Sequence, residues 1–372
     1  MTYKNNKKVI IIILVLIIMP TLLNGCNKKP IKIGFVGSLT SKQSQLSIDA
    51  RNAITIGVER INSEGGIDGR PLELIVKDDQ GSYETSLEKY EAFKSEGVQF
   101  VIGPMTSNLS DAVLDFKDSE LLFISPSMST NLLTGIDDNF IRVCPLVGAQ
   151  SETFLEYVAP KEYKHLTILY DLSNKVYTEY LSELIKNNGE SIIDTIDLIP
   201  FDSTKDNIEE SFSSINMDKT EGILMISQAT DTAFISQKIS QIDAKPDLYS
   251  VSWSMTQDLI YFGGETIEGM NLIGVYRSPE PTPNQLIFGN SFYERFSYEP
   301  SFISIMTYDA FNILIEGIKA TDDLTAQNVK ESIYSIEKFD GLEDPIIVDE
   351  YGDSKRKYLI YEVVNGRFVP KY

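Results

Sequence analysis

The chain has 372 residues, 42% of them apolar and 23% charged, which allows two domains of ordinary size and gives no sign of disorder. Its formal net charge of −21 argues against a nucleic-acid surface, because such a surface needs a basic face. One histidine and two cysteines are too few for an obvious metal cluster or for a nucleophile–histidine catalytic set.

The N-terminal segment has the pattern of a bacterial export signal. Three lysines precede an apolar stretch from Val9 to Leu23 that is short for a membrane-spanning helix. The following Leu23-Asn24-Gly25-Cys26 resembles a lipobox, in which the cysteine is acylated and becomes the new N-terminus. We therefore predict a signal peptide over residues 1–26, lipidation of Cys26, a linker over 27–30 and a domain outside the cytoplasm. The alternative, an uncleaved anchor, has the same consequence for topology.

Strands and helices alternate in the next part of the chain. Ile31–Gly37 is predicted as a strand, and Leu46–Ile61 keeps its apolar residues on one helical face. This alternation predicts βαβ units and a parallel sheet. The further elements predicted here are a helix at Thr85–Glu96 and strands at Leu72–Val76, Phe100–Ile102, Leu121–Ile124 and Phe140–Val143.

Two consecutive strands of this series end in turns that are rich in hydroxyl groups. The first turn contains Thr106 and Ser107, and the second contains Ser127 and Ser129. In a doubly wound sheet, ligands bind outside the carboxyl ends of the strands. Hydroxyls and free N–H groups at that edge are suited to holding a carboxylate. The alternative is that the serines only cap helices.

The alternation resumes in the second half, which predicts a second α/β lobe similar to the first. We expect Cys144 to be a buried small hydrophobe and Asp309 to be an acid at a helix N-terminus. The predicted strands are Leu166–Asp171, Ser191–Leu198, Gly222–Ser227, Asp247–Ser252 and Asn271–Tyr276, and the predicted helices are Tyr177–Lys186, Gln285–Phe296 and Met306–Ala320. In the tail, we predict strands at Pro345–Asp349 and Lys357–Val364, joined by a hairpin turn at 350–353.

A series of short segments runs in a characteristic order through nearly all of the chain past residue 30. The most specific is Ile61–Leu74, which has the sequence INSEGGIDGRPLEL. The others are Ile33–Thr40, Asp78–Gly81, Gly103–Ser107, Ile124–Ser129, Asp137–Val143, Tyr170–Tyr177, Gly264–Gly269 and Tyr308–Ala310. In these segments the chain resembles the leucine/isoleucine/valine-binding type of periplasmic binding protein, the type I family of extracytoplasmic receptors of ABC importers.

The resemblance implies an α/β fold of two doubly wound parallel-sheet lobes with a ligand cleft between them. Three chain crossings would form the hinge, near Cys144, near Tyr276 and near Phe339. Lobe 1 would comprise residues 31–143 and 277–338, and lobe 2 residues 144–276 and 339–372. Closure around the ligand would be a hinge motion.

The resemblance also implies roles for individual residues of the cleft. The carboxylate-binding groups fall on Thr106 or Ser107 and on Ser129, and backbone groups of Ser127 and Met128 would face the ligand. In lobe 2, Tyr177 matches a tyrosine that reaches the cleft.

One expected ligand contact is missing from the sequence. Relatives that bind amino acids pair the ammonium group with an acid, which would fall in or near residues 253–256, and no acid is there. Asp231 is the nearest alternative, although it could simply cap a helix. The ligand is therefore either an amino acid or a carboxylate without an amine, whose body would lie against Trp253 and Tyr177. Trp253 could instead belong to the core.

The sequence thus predicts a lipid-anchored solute receptor of an ABC importer. Its ligand would be a small carboxylate-bearing metabolite, either a branched-chain or other amino acid or a related organic acid. We expect a permease and the membrane as partners, a monomeric state, and no catalytic residue, metal, cofactor or nucleic acid. The alternative is an input protein that presents its ligand to a signalling or chemosensory partner.

Overall fold

A computed structural model describes residues 28–41, 44–205, 207–275, 277, 279–336 and 338–371. The predicted signal peptide, and Cys26 with it, lie outside the described residues. Within the described ranges, no helix combines the length and the apolar character needed to cross a membrane.

The first part of the chain forms a five-stranded parallel sheet in the order β2-β1-β3-β4-β5. Helices follow most of its strands, as the alternating pattern predicts. Its elements are β1 (Ile31–Gly37), α1 (Ser44–Ser63), β2 (Leu72–Asp78), α2 (Tyr83–Ser95), β3 (Phe100–Ile102), α3 (Ser110–Leu114), β4 (Leu122–Ser125) and β5 (Phe140–Arg142).

A second set of strands repeats the same arrangement. Its five parallel strands have the order β7-β6-β8-β9-β10, which corresponds strand by strand to the order in the first sheet. The elements are α4 (Val147–Val158), β6 (His165–Asp171), α5 (Lys175–Gly189), β7 (Thr195–Phe201), α6 (Ile208–Ser213), β8 (Gly222–Ile226), α7 (Ala229–Ser240), β9 (Asp247–Val251), α8 (Gln257–Gly263) and β10 (Asn271–Val275).

The chain then returns to the first sheet before it ends in the second. Three helices pack on α1, on strands of the first sheet and on one another: α9 (Pro283–Phe296), α10 (Phe302–Lys319) and α11 (Ala326–Ser335). Two antiparallel strands, β11 (Tyr358–Val364) and β12 (Arg367–Lys371), extend the second sheet beyond β10. We call the first sheet with α1–α3 and α9–α11 lobe 1, and the second sheet with α4–α8 lobe 2.

Most predicted elements are confirmed within a few residues, including the tail strand at Lys357–Val364, but the other tail strand and the hairpin turn are not. Residues 345–349 form only isolated bridges, and the predicted turn at 350–353 does not join two strands. The hairpin lies instead between β11 and β12, at Asn365-Gly366, where both residues have positive φ (51° and 67°). Asn-Gly is the strongest short-range signal for such a turn, and it was present in the sequence. β7 also begins four residues later than predicted.

Two buried ion pairs hold the returning chain against lobe 1. Arg142 Nε of β5 lies 2.7 Å from Asp353 Oδ1, and Arg356 Nη1 lies 3.1 Å from Asp309 Oδ2 of α10. Asp309 also accepts a hydrogen bond from the N–H of Leu342 at 2.8 Å. Burial raises the pKa of Asp309 to about 6, against the opposing effect of the Arg356 guanidinium.

These contacts change two expectations from the sequence. Asp309 is not an acid at a helix N-terminus, because it lies in the middle of α10 and is fully buried. The third crossing also lies later than the expected position near Phe339. Since residues 342–356 are bonded to lobe 1, the chain leaves that lobe only between Arg356 and the start of β11.

Gly352 provides a test of how the returning segment is held. Its carbonyl accepts the N–H of Arg142 at 2.9 Å, its φ is +82°, and a Cβ there would lie 2.4 Å from the carbonyl oxygen of Phe140. We expect Gly352→Ala to lower the free energy of unfolding by roughly 3 kcal/mol or more, because backbone must move in addition to the left-handed strain.

Gly135→Ala is the matched control, measured in the same urea unfolding series. Gly135 has a φ of +67° with no atom within 4 Å of its Cβ position, so only the conformational cost of ~1 kcal/mol applies. Equal losses in the two variants would contradict the close approach at Gly352.

Candidate ligand-binding site

A cavity with an empty volume of about 500 Å³ lies between the carboxyl ends of the two sheets. Residues after β3 and β4 line it from lobe 1, and residues after β6 and β9 line it from lobe 2. The predicted residues that line it are Thr106, Ser107, Ser127, Ser129, Tyr177 and Trp253.

Three hydroxyl groups that lobe 1 contributes to this cavity have no hydrogen-bond partner among the described residues. They belong to Thr106, Ser107 and Ser129, and the last two residues are only 2% and 5% exposed. None of them caps a helix: Thr106 precedes a short 3₁₀ helix without a side-chain cap bond. The cap next to Ser129 is Thr130, whose hydroxyl accepts the N–H of Leu132 at 3.1 Å. The alternative interpretation as helix caps therefore does not hold for these side chains.

The groups of Ser127 and Met128 are already engaged inside their turn. The Ser127 hydroxyl donates to the Met105 carbonyl at 2.6 Å, and the N–H of Met128 donates to the Ser125 hydroxyl at 3.0 Å. Met128 is fully buried and does not line the cavity, whereas Ser127 does. The predicted ligand contact of the Met128 amide stays a prediction, and it would require the bond to Ser125 to open.

Tyr177 and Trp253 form the aromatic part of the wall from lobe 2. Their rings meet edge to face with centroids 6.3 Å apart and an interplanar angle of 81°. The Tyr177 hydroxyl donates to Oε1 of Gln150 at 2.8 Å, and burial raises its pKa well above the usual value. Trp253 is 7% exposed, so it is both largely buried and part of the cavity wall.

No residue that lines this cavity within the described part of the chain carries a charge. Asp231, the proposed partner for an ammonium group, does not line it and lies in the first turn of α7, where it accepts a hydrogen bond from Nε2 of Gln228 at 3.0 Å. A buried ammonium without an acid is costly, whereas a carboxylate can be held by hydroxyl donors. The cavity thus favours a carboxylate over a zwitterion.

The hinge contributes a wall that the sequence analysis did not assign to the site. Cys144 of the first crossing, Val275 before the second and Tyr358 after the third all line the cavity. The Tyr358 hydroxyl donates to the Pro145 carbonyl at 3.2 Å, which joins two of the crossings. Proximity to a predicted crossing was the signal that could have found Cys144 and Val275, whereas Tyr358 follows the crossing that the sequence analysis placed too early. Leu46, which the resemblance places where relatives often have an aromatic wall residue, also lines the cavity. The other lining residues absent from the predicted site are Met105, Gln150, Asn174, Ser252, Phe302 and Met306.

The two lobes are bonded directly along one side of the cavity. Asn108 of lobe 1 donates its N–H to Oδ1 of Asn174 at 3.1 Å and its Nδ2–H to the Ser173 carbonyl at 2.6 Å. Its own Oδ1 accepts the N–H of Val176 at 3.0 Å. Asn131 and Tyr180 form another bond between the lobes. The structure therefore corresponds to a closed arrangement on this side.

The comparisons with known proteins agree with this architecture. The family model described as "Periplasmic binding protein" matches residues 30–367. A leucine-, isoleucine-, valine-, threonine- and alanine-binding protein of Pseudomonas aeruginosa is 22% identical over 339 residues, which cover 89% of each chain.

Two solved structures share the fold with a TM-score of 0.82 each. One is a branched-chain amino acid transporter substrate-binding protein from Streptococcus pneumoniae in complex with isoleucine, which is 17% identical and covers 92% of this chain and 99% of its own. The other is a solute-binding protein of an ABC transporter from R. palustris in complex with benzoate. It is 15% identical, and the match covers 92% of this chain and 95% of the R. palustris chain.

Adjacent hydroxyls allow the carboxylate contact to be tested. We expect Ser129→Ala to weaken the binding of a small carboxylate by about 10- to 150-fold, because one charge-assisted hydrogen bond worth roughly 1.5–3 kcal/mol is lost. Thr130→Ala should instead lower stability by ~1 kcal/mol through the lost cap and leave affinity unchanged. Titration calorimetry and urea unfolding of both variants check this. If Ser129→Ala changed only stability, the assignment would be wrong.

The reaction rate of the buried Cys144 thiol can be used to test whether a ligand occupies the cavity. Without residues 1–26, Cys144 is the only cysteine of the chain, and burial raises its thiol pKa to about 12. We expect slow modification by a maleimide, slowed at least about tenfold further by saturating ligand, because only the thiolate reacts and the reagent must enter the same cavity. Mass spectrometry measures the rate. A Cys144→Ser, Ser63→Cys variant with an exposed thiol should show no ligand effect, and an equal rate at Cys144 with and without ligand would contradict the placement.

Proposed function

The chain belongs to the periplasmic binding protein family, and from this membership we propose that it is an extracytoplasmic solute-binding protein of an ABC importer that takes a small carboxylate with an apolar body and no amine. It is a binding protein and not an enzyme. The observation that carries the proposal is the uncharged cavity, to which lobe 1 contributes three hydroxyls that have no partner among the described residues.

The chemistry of the cavity supports a specific division of roles. The hydroxyls of Thr106, Ser107 and Ser129 donate to the carboxylate, which pairs with them without a counter-ion. Tyr177 and Trp253 cover the apolar body from the other lobe. The benzoate bound by the R. palustris protein is a ligand of this type, whereas the isoleucine bound by the S. pneumoniae protein carries an amine.

Binding at this position couples the ligand to the hinge. A ligand between Ser129 and Trp253 contacts both lobes, and these contacts exist together only when the lobes are closed. The difference in affinity between the two states is what shifts the population toward closure. The closed form would be the one that the permease recognises.

We extend the proposal to the cellular setting. The lipobox-like segment ending at Cys26 supports export and lipid anchoring, so the receptor would be tethered at the outer face of the membrane as a monomer. Its partner would be the permease of an importer.

A matched pair of ligands tests the proposal. L-leucine and the 2-oxo acid with the same carbon skeleton differ at the amine, and benzoate adds an aromatic body. We expect the oxo acid or benzoate to raise the melting temperature, as RT ln(1 + [L]/Kd) requires, and L-leucine to raise it less. A larger shift with L-leucine would overturn the exclusion of the amine. No shift with any small carboxylate would overturn the proposed function.

A further inference from the structure

A second and larger cavity adjoins the first between the two lobes. Its empty volume of about 1800 Å³ includes space that is open to solvent, and it shares Val275, Phe302 and Met306 with the smaller cavity. We call it the side chamber. Lobe 1 lines it with α9 and the start of α10, and lobe 2 lines it with the start of α8 and the β11–β12 turn. A ligand extending past Phe302 and the flexible side chain of Met306 would enter this space.

Two buried polar atoms of the side chamber have no partner among the described residues. Gln285 of lobe 1 donates its Nε2–H to Glu343 Oε1 at 2.9 Å, but its Oε1 accepts nothing. Thr256 of lobe 2 has an unpaired Oγ1 as well. The two residues are 7% and 3% exposed and line the chamber from opposite lobes. Both atoms are shielded from solvent, so a ligand group would reach them only after a side-chain rotation. Since buried polar atoms normally have partners, both positions can then gain from a ligand that supplies one.

The buried carboxylates of the side chamber already have partners within the chain. Asp49 accepts hydrogen bonds from Gln45, Tyr298 and Ser301 at 2.5–2.8 Å. Glu343 lies 3.3 Å from Nε of Arg277. The remaining charged lining residues, Glu299 and Arg367, are exposed to solvent. Because Asp49 already accepts three hydrogen bonds and Glu343 pairs with Arg277, the acceptor left without a partner is Oε1 of Gln285, which we assign to a neutral donor of the ligand.

The rest of the lining is suited to an apolar body. Met255 and Ile260 of lobe 2 face the chamber together with Phe288, Ile305 and Phe302 of lobe 1. An aromatic or aliphatic segment would bury against these side chains at about 25 cal/mol for each Å² of apolar surface removed from water.

We propose that the side chamber is a subsite for the far end of the ligand, so that this receptor binds an elongated carboxylic acid with an apolar body and a neutral hydrogen-bond donor, such as a hydroxyl, at its distal end. This inference rests on the proposed function, because the carboxylate is held in the first cavity. Gln285 accepts from the distal donor, and Thr256 completes the contact from the opposite lobe.

Three acids separate this inference from the proposed function. Benzoate is the shortest of the three, 3-phenylpropanoate is two carbons longer and has no donor, and 3-(4-hydroxyphenyl)propanoate adds the distal donor. We expect the hydroxylated acid to bind more tightly than its phenyl analogue by about 2- to 12-fold, the range for one neutral hydrogen bond. Titration calorimetry gives the three dissociation constants. In Ser129→Ala all three should weaken by a similar factor, since they share the carboxylate site.

Substitution of Gln285 tests the donor contact. In Gln285→Leu the ratio of the affinities for the hydroxylated acid and its phenyl analogue should fall to about one. Gln327→Leu, the same change at an exposed position of α11, should retain this ratio. If Gln285→Leu does not fold, Thr256→Val provides a second test, because it removes the contact from lobe 2 and should also lower this ratio. Binding of benzoate with no preference for the hydroxylated acid, or a preference that survives both variants, would overturn the subsite and leave the function standing. No binding of any of the three acids would overturn both.

Discussion

In a parallel sheet all strands end at the same edge, and this constraint determines where the site can be. Both sheets have the same strand order, so each places its switch point, between β1 and β3 or between β6 and β8, at the edge that faces the other lobe. The turns after β3 and β4 therefore meet the segments after β6 and β9 across one cavity. No single lobe contains a complete site, and every function that we propose depends on this opposition of strand ends.

The chemistry of the cavity follows from what its polar groups already bond. Ser127 and Met128 are used to shape their turn, while the hydroxyls of Ser107 and Ser129 remain available. Neighbouring groups therefore differ in whether they are free to bond. This difference, together with the lack of charged lining residues in the described chain, supports the proposed site for an anion that needs hydrogen-bond donors but no counter-ion. The same reasoning in the side chamber leads to a neutral donor at the other end of the ligand.

The sequence predicted the alternating elements because buried strands and amphipathic helices have clear periods, and it predicted six of the lining residues through the resemblance. It could not predict that Asp309 pairs with Arg356, since the partners are 47 positions apart and meet only through the returning chain. The third crossing was misplaced for the same reason. The unpaired acceptor on Gln285 could not be predicted either, because it depends on the amide nitrogen of the same side chain donating to Glu343. The hairpin at Asn365-Gly366 is different: its local signal was present and was overlooked.

The wall formed by Cys144, Val275 and Tyr358 has a consequence for the order of events during binding. Atoms close to a rotation axis hardly move when two bodies turn about it, and these three residues belong to, or adjoin, the strands that form the axis. In the hinge closure that we propose, this wall would therefore stay almost the same before and after the lobes come together, while Ser129 and Trp253 would approach each other from farther out. A ligand would contact this preformed wall first, and the two lobes would close around it afterwards, so that binding would precede closure.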